Sequence, residues 1–245
     1  MPDLSRVNVN IADEPLSIAI NERIERVAVA ELPRSYLGAS AVGHECMRQT
    51  QFDWWCKPFL PARVRSIFNR GHFFEAQTRK HLVAAGFVFA PMESCKFVAL
   101  GGDLQGHADG IIIAGPPLSG TCLALPCVWE HKALNAKNFR AVARDGLEKV
   151  FPRYAVQIWL YQKFLDDLNP ALVSVVNADT CEALHFPFRF NAARADLWIE
   201  RAAEIVAATR KGELLPRAFD SPDDWHCKIC SHNKRCWGGG GAPGA

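Results

Sequence analysis

Asp109 lies in the run Gly106-His107-Ala108-Asp109-Gly110, and Glu130-His131-Lys132 follows 21 residues later at the end of a β-prone run. Alternate residues of an extended strand share a face, so Val128, Glu130 and Lys132 point one way while Trp129 and His131 point the other. A carboxylate and an ammonium then project side by side. If the strand carrying Asp109 pairs with this one, two carboxylates and a lysine converge, and two close carboxylates demand a counter-charge. A divalent cation supplies it. Mg²⁺ or Mn²⁺ prefers oxygen ligands and keeps several waters, one of which can attack a phosphodiester. Lys132 would orient that water or stabilise charge on the phosphate. Taken singly, Asp-Gly is a common turn pair and Glu-x-Lys a common solvated face, so the combination carries the expectation.

Two helical runs add to it. In Arg70-Gly71-His72-Phe73-Phe74-Glu75 a carboxylate is placed on the helix before the strands, where it could reach a metal through a water; an exposed helical Glu is the bland alternative. In Tyr154-Ala155-Val156-Gln157-Ile158-Trp159-Leu160-Tyr161, Gln157 and Tyr161 are four apart and share one face of an otherwise apolar helix. Such a polar pair needs hydrogen-bond partners, which a substrate phosphate or a catalytic water would provide.

Gly71-x-x-x-Glu75, His107-x-Asp109-Gly110, Glu130-x-Lys132 and Gln157-x-x-x-Tyr161 together resemble, in order and placement, the PD-(D/E)xK nuclease superfamily, in its RecB-like and phage-exonuclease branch. The resemblance covers about 65–177. It implies a restriction-endonuclease-like fold, α/β with a mixed central sheet flanked by helices. It also implies that Asp109 and Glu130 bind the metal with the backbone carbonyl of His131, that Glu75 joins them from the helix, that Lys132 assists the water, and that Gln157 and Tyr161 position substrate. Many RecB-like members carry a metal-binding His immediately before the helical Glu. Here Phe74 holds that place, and His72 lies two residues earlier, about 200° around the helix axis. The pattern is closer to the phage type, leaving His72 as a structural neighbour.

Nine cysteines form a second constellation. An odd count cannot pair completely within the chain, and the start of the sequence shows neither the basic patch nor the apolar run of a signal peptide, so a cytoplasmic, reducing environment is expected. Cys227, Cys230 and Cys236 form C-x₂-C-x₅-C, and Cys46 is the candidate fourth ligand. Four thiolates suit either a [4Fe–4S] cluster or Zn²⁺, and in a zinc site His226 or His232 could replace a cysteine. One cysteine before the core and three after it resemble the iron-staple nucleases, such as the AddAB-type nuclease domain and the CRISPR-adaptation exonucleases. Tyr36-Leu37-Gly38-Ala39-Ser40 leading to Cys46-x-Arg48 is similar to phage and prophage members. The resemblance favours iron–sulfur, tying the chain ends together as a cap. Cys56, Cys95, Cys122, Cys127 and Cys181 are read as packing residues.

The elements that must position these groups follow from periodicity. Helical spacing predicts helices over 16–30, with Leu16, Ile20, Ile24 and Val27 as the packing stripe before Pro33, and over 65–85, with Phe68, Phe73 or Phe74, Leu82 and Val83 inward and Gly86 as the stop. Short β-prone runs at 87–89, 97–100, 110–113 and 127–130 read as an antiparallel meander. A helix over 154–168 stopped by Asn169-Pro170, strands at 172–177 and 183–188, and a helix over 192–211 complete an α/β pattern. The expected organisation is one compact unit: an N-terminal helical segment (1–64), the catalytic core with the last helix (65–212), and a cysteine segment (213–245) ending in a glycine-rich tail.

The chain has 245 residues, 49% apolar and 22% charged, with 28 basic against 26 acidic side chains. A net charge of +2 excludes a histone-like binder and an acidic disordered chain, so any DNA contact must come from local clusters. Arg63, Arg65, Arg70, Arg79 and Lys80 form one; Lys132, Lys137, Arg140, Arg144, Lys149 and Arg153 form another, which would border the metal site or simply face solvent. Trp54, Trp55 and Phe59 are read as core aromatics, with base stacking as the alternative. Prolines interrupt the longest uncharged stretch, so no membrane-spanning helix is expected. The sequence thus points to a Mg²⁺- or Mn²⁺-dependent DNA exonuclease of phage-type recombination or repair, working alone or with partner proteins. Two rivals are a non-cleaving DNA-binding adaptor that keeps the fold and a redox-sensing regulator built on the cluster.

Overall fold

The computed structural model describes residues 15–28, 34–56, 61–118, 123–165 and 170–240. Expectations that touch Pro33, Phe59, Cys122, Asn169, residues 29–30 and the two chain termini lie outside them. Five strands form the main sheet. β2 (Val88–Phe89), β5 (Gly110–Ala114), β6 (Cys127–Leu134), β7 (Ala171–Asn177) and β8 (Ala183–Phe188) lie side by side in that order, all pairs antiparallel except the parallel β6–β7 pair. The short β1 (Leu37–Gly38), β3 (Lys96–Ala99) and β4 (Leu104–His107) make a second, mixed sheet in the order β1-β4-β3. The fold is α/β with two mixed sheets and flanking helices.

The expected single meander is therefore corrected. The 97–100 run leaves the main sheet for the smaller one, because β3 turns back onto β4, a strand whose Leu104-Gln105-Gly106-His107 has too weak an alternation to announce itself.

A parallel pair needs a crossover, and α5 (Ala136–Asp145), α6 (Leu147–Val150) and α7 (Pro152–Phe164) supply it between β6 and β7. The α7 helix is buried almost all round, with Ala155, Val156, Ile158, Trp159 and Leu160 at the centre of the larger core together with Val128, Val173 and Val175. On the opposite face of the main sheet Trp129, Ile112, Cys127 and Leu172 pack with Leu82 of α4 (Ala62–Ala84). The alternation read along β6 holds: Val128 looks toward α7 and Trp129 toward α4.

Two predicted stripes are not buried. Of the predicted α4 stripe only Leu82 is enclosed, while Phe68, Phe73 and Val83 are exposed, because the helix meets the sheet through the face that carries Thr78 and Leu82. On α1 (Pro15–Ala28) Leu16, Ile20 and Ile24 are likewise exposed. Cys95 and Cys127 pack in the core as expected, whereas Cys181 is exposed at a positive φ in the β7–β8 turn and is no packing residue.

The long helix α8 (Ala192–Lys211) begins and ends where the periodicity places it, with the Asn191 side chain capping its first turn. The α2 turn (Ala39–Val42) lies on α7, and α3 (Met47–Trp55) binds the chain's far end. Buried Gln51 donates to the Glu213 carbonyl and accepts from the Leu215 N–H, and Arg48 donates to the Leu215 carbonyl. His232 pairs with Asp53 at 2.7 Å. These bonds close the N-terminal segment onto the region that carries α9 (Trp225–Lys228) and α10 (Asn233–Trp237). Trp54 packs on the core and Trp55 meets Phe52 edge-on, so both are packing aromatics. No helix among the described residues is long and apolar enough to cross a membrane.

Candidate active site

The antiparallel register of β5 and β6 sets Gly110 opposite Trp129, so Asp109, one residue before β5, arrives beside Glu130 and His131. The main-chain N–H of His131 donates to Asp109 Oδ2 at 2.7 Å. Glu130 is wholly buried, and its Oε1 accepts a short hydrogen bond from Lys132 Nζ two residues along the same face. Its second oxygen, Oε2, is buried with no partner among the described residues. Such an oxygen costs free energy unless something positive meets it.

Burial, compounded by the Asp109 carboxylate, pushes Glu130 up to about 8 against the pull of Lys132. Asp109 is raised by burial too, partly offset by Lys132 and the His131 N–H. Burial alone would lower Lys132, but the Glu130 and Asp109 carboxylates outweigh it and hold the ammonium above its ordinary range. The site thus crowds carboxyl groups into a low-dielectric corner that favours their protonated forms unless a cation takes the place of the protons.

Glu75, on α4, lies within electrostatic reach of Asp109, Glu130 and Lys132, and burial and then Asp109 raise its pKa. His72 stands one turn before it, with Nδ1 3.5 Å from Glu75 Oε2. Gln157 Nε2 donates to the Tyr161 hydroxyl at 2.8 Å, a buried pair on the α7 face toward the carboxylates. Burial, followed by the Glu130 charge, pushes that phenol well above its usual range. The His131 ring lies on the other side of β6, 6.1 Å from Trp129. Burial first, then Lys132 and His185, holds it down to about 3, so it is a neutral core histidine.

The structure therefore brings Asp109, Glu130, Lys132, Glu75, Gln157 and Tyr161 together with the main chain of His131. Two residues join them that the sequence reading assigned no role at the site. Arg79 donates to the Asp109 carbonyl at 3.1 Å and covers the Phe89 ring at 4.2 Å. It is four residues after Glu75, a spacing that could have signalled a shared face. Tyr154 lies under Lys132, whose Nζ is 4.9 Å from the ring centroid. Of the basic clusters, Arg144 and Lys149 both pair with Asp145 and Arg70 lies 3.9 Å from Asp179, while Lys137 and Arg140 face solvent.

Among the described residues no three His, Cys, Asp or Glu side chains stand in a ready-made chelate. A hard divalent ion does not need one, since it is held by one or two carboxylates, a carbonyl and waters. The unpartnered Glu130 oxygen beside Asp109 fits that requirement.

Cys46, Cys227, Cys230 and Cys236 all line one cavity of about 30 Å³, although they too form no ready-made chelate among the described residues. Burial pushes the Cys230 thiol up, and Cys46 and Cys227 raise it further, as expected of neighbouring thiols. Both ring nitrogens of His226 are engaged, by Asp224 at 2.8 Å and Glu45 at 3.1 Å, and His232 is engaged by Asp53. Of the ring nitrogens around this cavity, Nδ1 of His232 is the one with no side-chain partner among the described residues, beside the four sulfurs.

No family model matches the chain, and no curated protein sequence does. Among solved structures, the crystal structure of SSO0001 aligns with 89% of this chain and 93% of its own at 11% identity and a TM-score of 0.43. The crystal structure of an alkaline exonuclease (LHK-Exo) from Laribacter hongkongensis aligns with 78% of this chain and 93% of its own at 12% identity and a TM-score of 0.49. These are similarities of chain trace, at identities that leave the chemistry to be read from this chain's own residues.

Proposed function

We propose that this chain is a Mg²⁺- or Mn²⁺-dependent deoxyribonuclease that hydrolyses phosphodiester bonds, acting as an exonuclease in DNA-end processing, recombination or repair of the phage type. The observation that carries the reading is the convergence of Asp109 and Glu130 from paired strands with Lys132 beside them and one buried carboxylate oxygen unmatched.

Asp109, Glu130 and the His131 carbonyl would hold the ion, with Glu75 contributing from α4. The bound ion supplies Lewis acidity to the phosphate and lowers the pKa of water. The chain's own residues do the rest. Lys132 carries a positive charge to the scissile group and orients the attacking water, its ammonium kept charged by the two carboxylates. Tyr161 and Gln157 hold substrate and brace the turn that bears Asp109. Arg79 fixes that turn from outside through the Asp109 carbonyl.

The four cysteines are the donor set of a structural [4Fe–4S] cluster, with Zn²⁺ as the alternative; both nitrogens of His226 are already engaged, which turns that ring away from ligation. Digestion of end-labelled DNA with and without Mn²⁺ tests the main reading. Metal-dependent shortening from an end supports it. Binding without cleavage in any metal would transfer the site to the adaptor reading.

A further inference from the structure

The region around the cysteines does more than close the chain ends. Between it and the start of α7 runs a cleft of about 440 Å³, lined among others by His44, Arg153, Phe219, Trp225, His226 and Ile229. Three of these form a ladder of rings. Phe219 stacks on His226 at 4.3 Å and 10°, and Trp225 lies on His226 at 3.6 Å and 31°. Asp224 and Glu45 hold the middle ring by its two nitrogens. The ladder ends in solvent: Trp225 is 63% exposed and Ile229 75%.

The opposite wall is cationic. Arg153 is exposed, and no carboxylate among the described residues pairs with it; its guanidinium lies 5.3 Å from the Tyr154 ring centroid. That same ring carries Lys132 at 4.9 Å. One aromatic side chain thus joins the cation of the candidate catalytic site to the cation of the cleft. The close approach is built into the backbone, since a Cβ on Gly43 would stand 2.8 Å from the Arg153 Cα. This contact sets His44 beside Arg153 in the cleft wall. Glu45, the acid of the cleft, is turned to His226.

We propose that this cleft is the track of an unpaired DNA strand, with a base continuing the Phe219–His226–Trp225 ladder and the adjoining phosphate on Arg153, so that the enzyme takes single-stranded ends. An open aromatic face beside an uncompensated arginine is the pairing that binds single strands without reading their sequence. A base within a duplex is already stacked and cannot extend the ladder. The inference rests on the deoxyribonuclease reading for what happens to the strand, but the binding it describes needs no cleavage.

The test uses the full chain as purified, without added divalent metal, and the fluorescence anisotropy of a labelled 12-nucleotide single strand and its duplex. Wild type binds the single strand more tightly than the duplex. Trp225→Ala weakens single-strand binding about tenfold, and Trp225→Phe, which keeps a ring, restores most of it. Arg153→Gln weakens binding and lowers its salt dependence by about one counterion. Circular dichroism confirms that each variant is folded. Unchanged single-strand affinity in Trp225→Ala and Arg153→Gln would overturn the inference, as would unchanged affinity accompanied by altered self-association, which would make the Trp225–Ile229 patch a protein-docking surface. Failure of the hydrolase reading shows differently: the strand binds through Trp225 and is never cut.

Discussion

The Asp109 carboxylate is tied to the main chain of His131, at 2.7 Å, while the His131 side chain turns away to the opposite face of β6. One residue therefore serves the site through its backbone alone. Asp109→Asn and Glu130→Gln are expected to lose at least about 100-fold in metal-dependent cleavage. His131→Leu keeps the N–H and the carbonyl and removes a ring nitrogen that is buried without a partner among the described residues, so it should leave turnover and stability nearly unchanged. Rates and urea midpoints measured side by side check this contrast; equal loss of turnover in His131→Leu would give the ring a direct role.

The pH dependence follows from Glu130. Its carboxyl sits at about 8 in the metal-free fold against 4.5 for an ordinary glutamate. Between these values the folded state keeps a proton that the unfolded state has released, so this group's contribution to stability declines as pH rises from about 4.5 to 8. Asp109 and Glu75, raised as well, act in the same direction. A divalent ion competes with those protons and releases them on binding. The rise in melting temperature caused by Mn²⁺ should grow from pH 6 to 8 and level off above. A pH-independent rise would place the ion elsewhere.

Tyr161 reaches the site through a narrow gap. A Cβ added at Gly106 would lie 2.8 Å from Tyr161 Cε1 and 2.2 Å from Phe97 Cε1. Gly106→Ala should therefore destabilise by about 1–3 kcal/mol and reduce cleavage, because the displaced ring lies beside the Asp109 turn. Tyr161→Phe removes the hydroxyl that meets both the Gln157 amide and the His107 main chain and should cost about 1–3 kcal/mol, with a loss of substrate affinity seen as a raised KM. Thermal denaturation and steady-state kinetics separate the two.

The cysteine cavity predicts a stoichiometry. Protein purified without oxygen should carry about four iron and four acid-labile sulfide per chain with a broad absorbance near 400 nm. Cys46→Ser or Cys230→Ser should lose it and loosen the α3 contacts to Glu213 and Leu215, seen as earlier proteolysis at both ends. One zinc per chain without iron would replace the cluster.

The sequence made some of this visible for physical reasons and concealed the rest. The period-2 alternation of β6 revealed that Glu130 and Lys132 share a face; by itself that pair reads as a solvated face, and only its spacing from Asp109 and the two helical motifs lifted it above that. Long periodic segments such as α8 were equally legible. The second sheet was not, because β1 is two residues long and β4 holds a glycine and a glutamine, so neither carries a period. The exposure of Phe68, Phe73 and Val83 was hidden because an apolar side chain announces hydrophobicity, not the neighbour it lacks. Tyr154 and Arg153 were legible as an aromatic and a cation, but their joining of two sites through one ring exists only once β6 and α7 meet.

The central claim is that side chains from two neighbouring strands share one hard cation to break a phosphodiester bond. Single-turnover cleavage of end-labelled single-stranded DNA by wild-type and Glu130→Gln protein, both shown to be folded, with Mn²⁺ and without it, tests it most directly. The account predicts product from wild type with Mn²⁺ only and none from Glu130→Gln in either condition. Equal product from both proteins, or product without the metal, would contradict it.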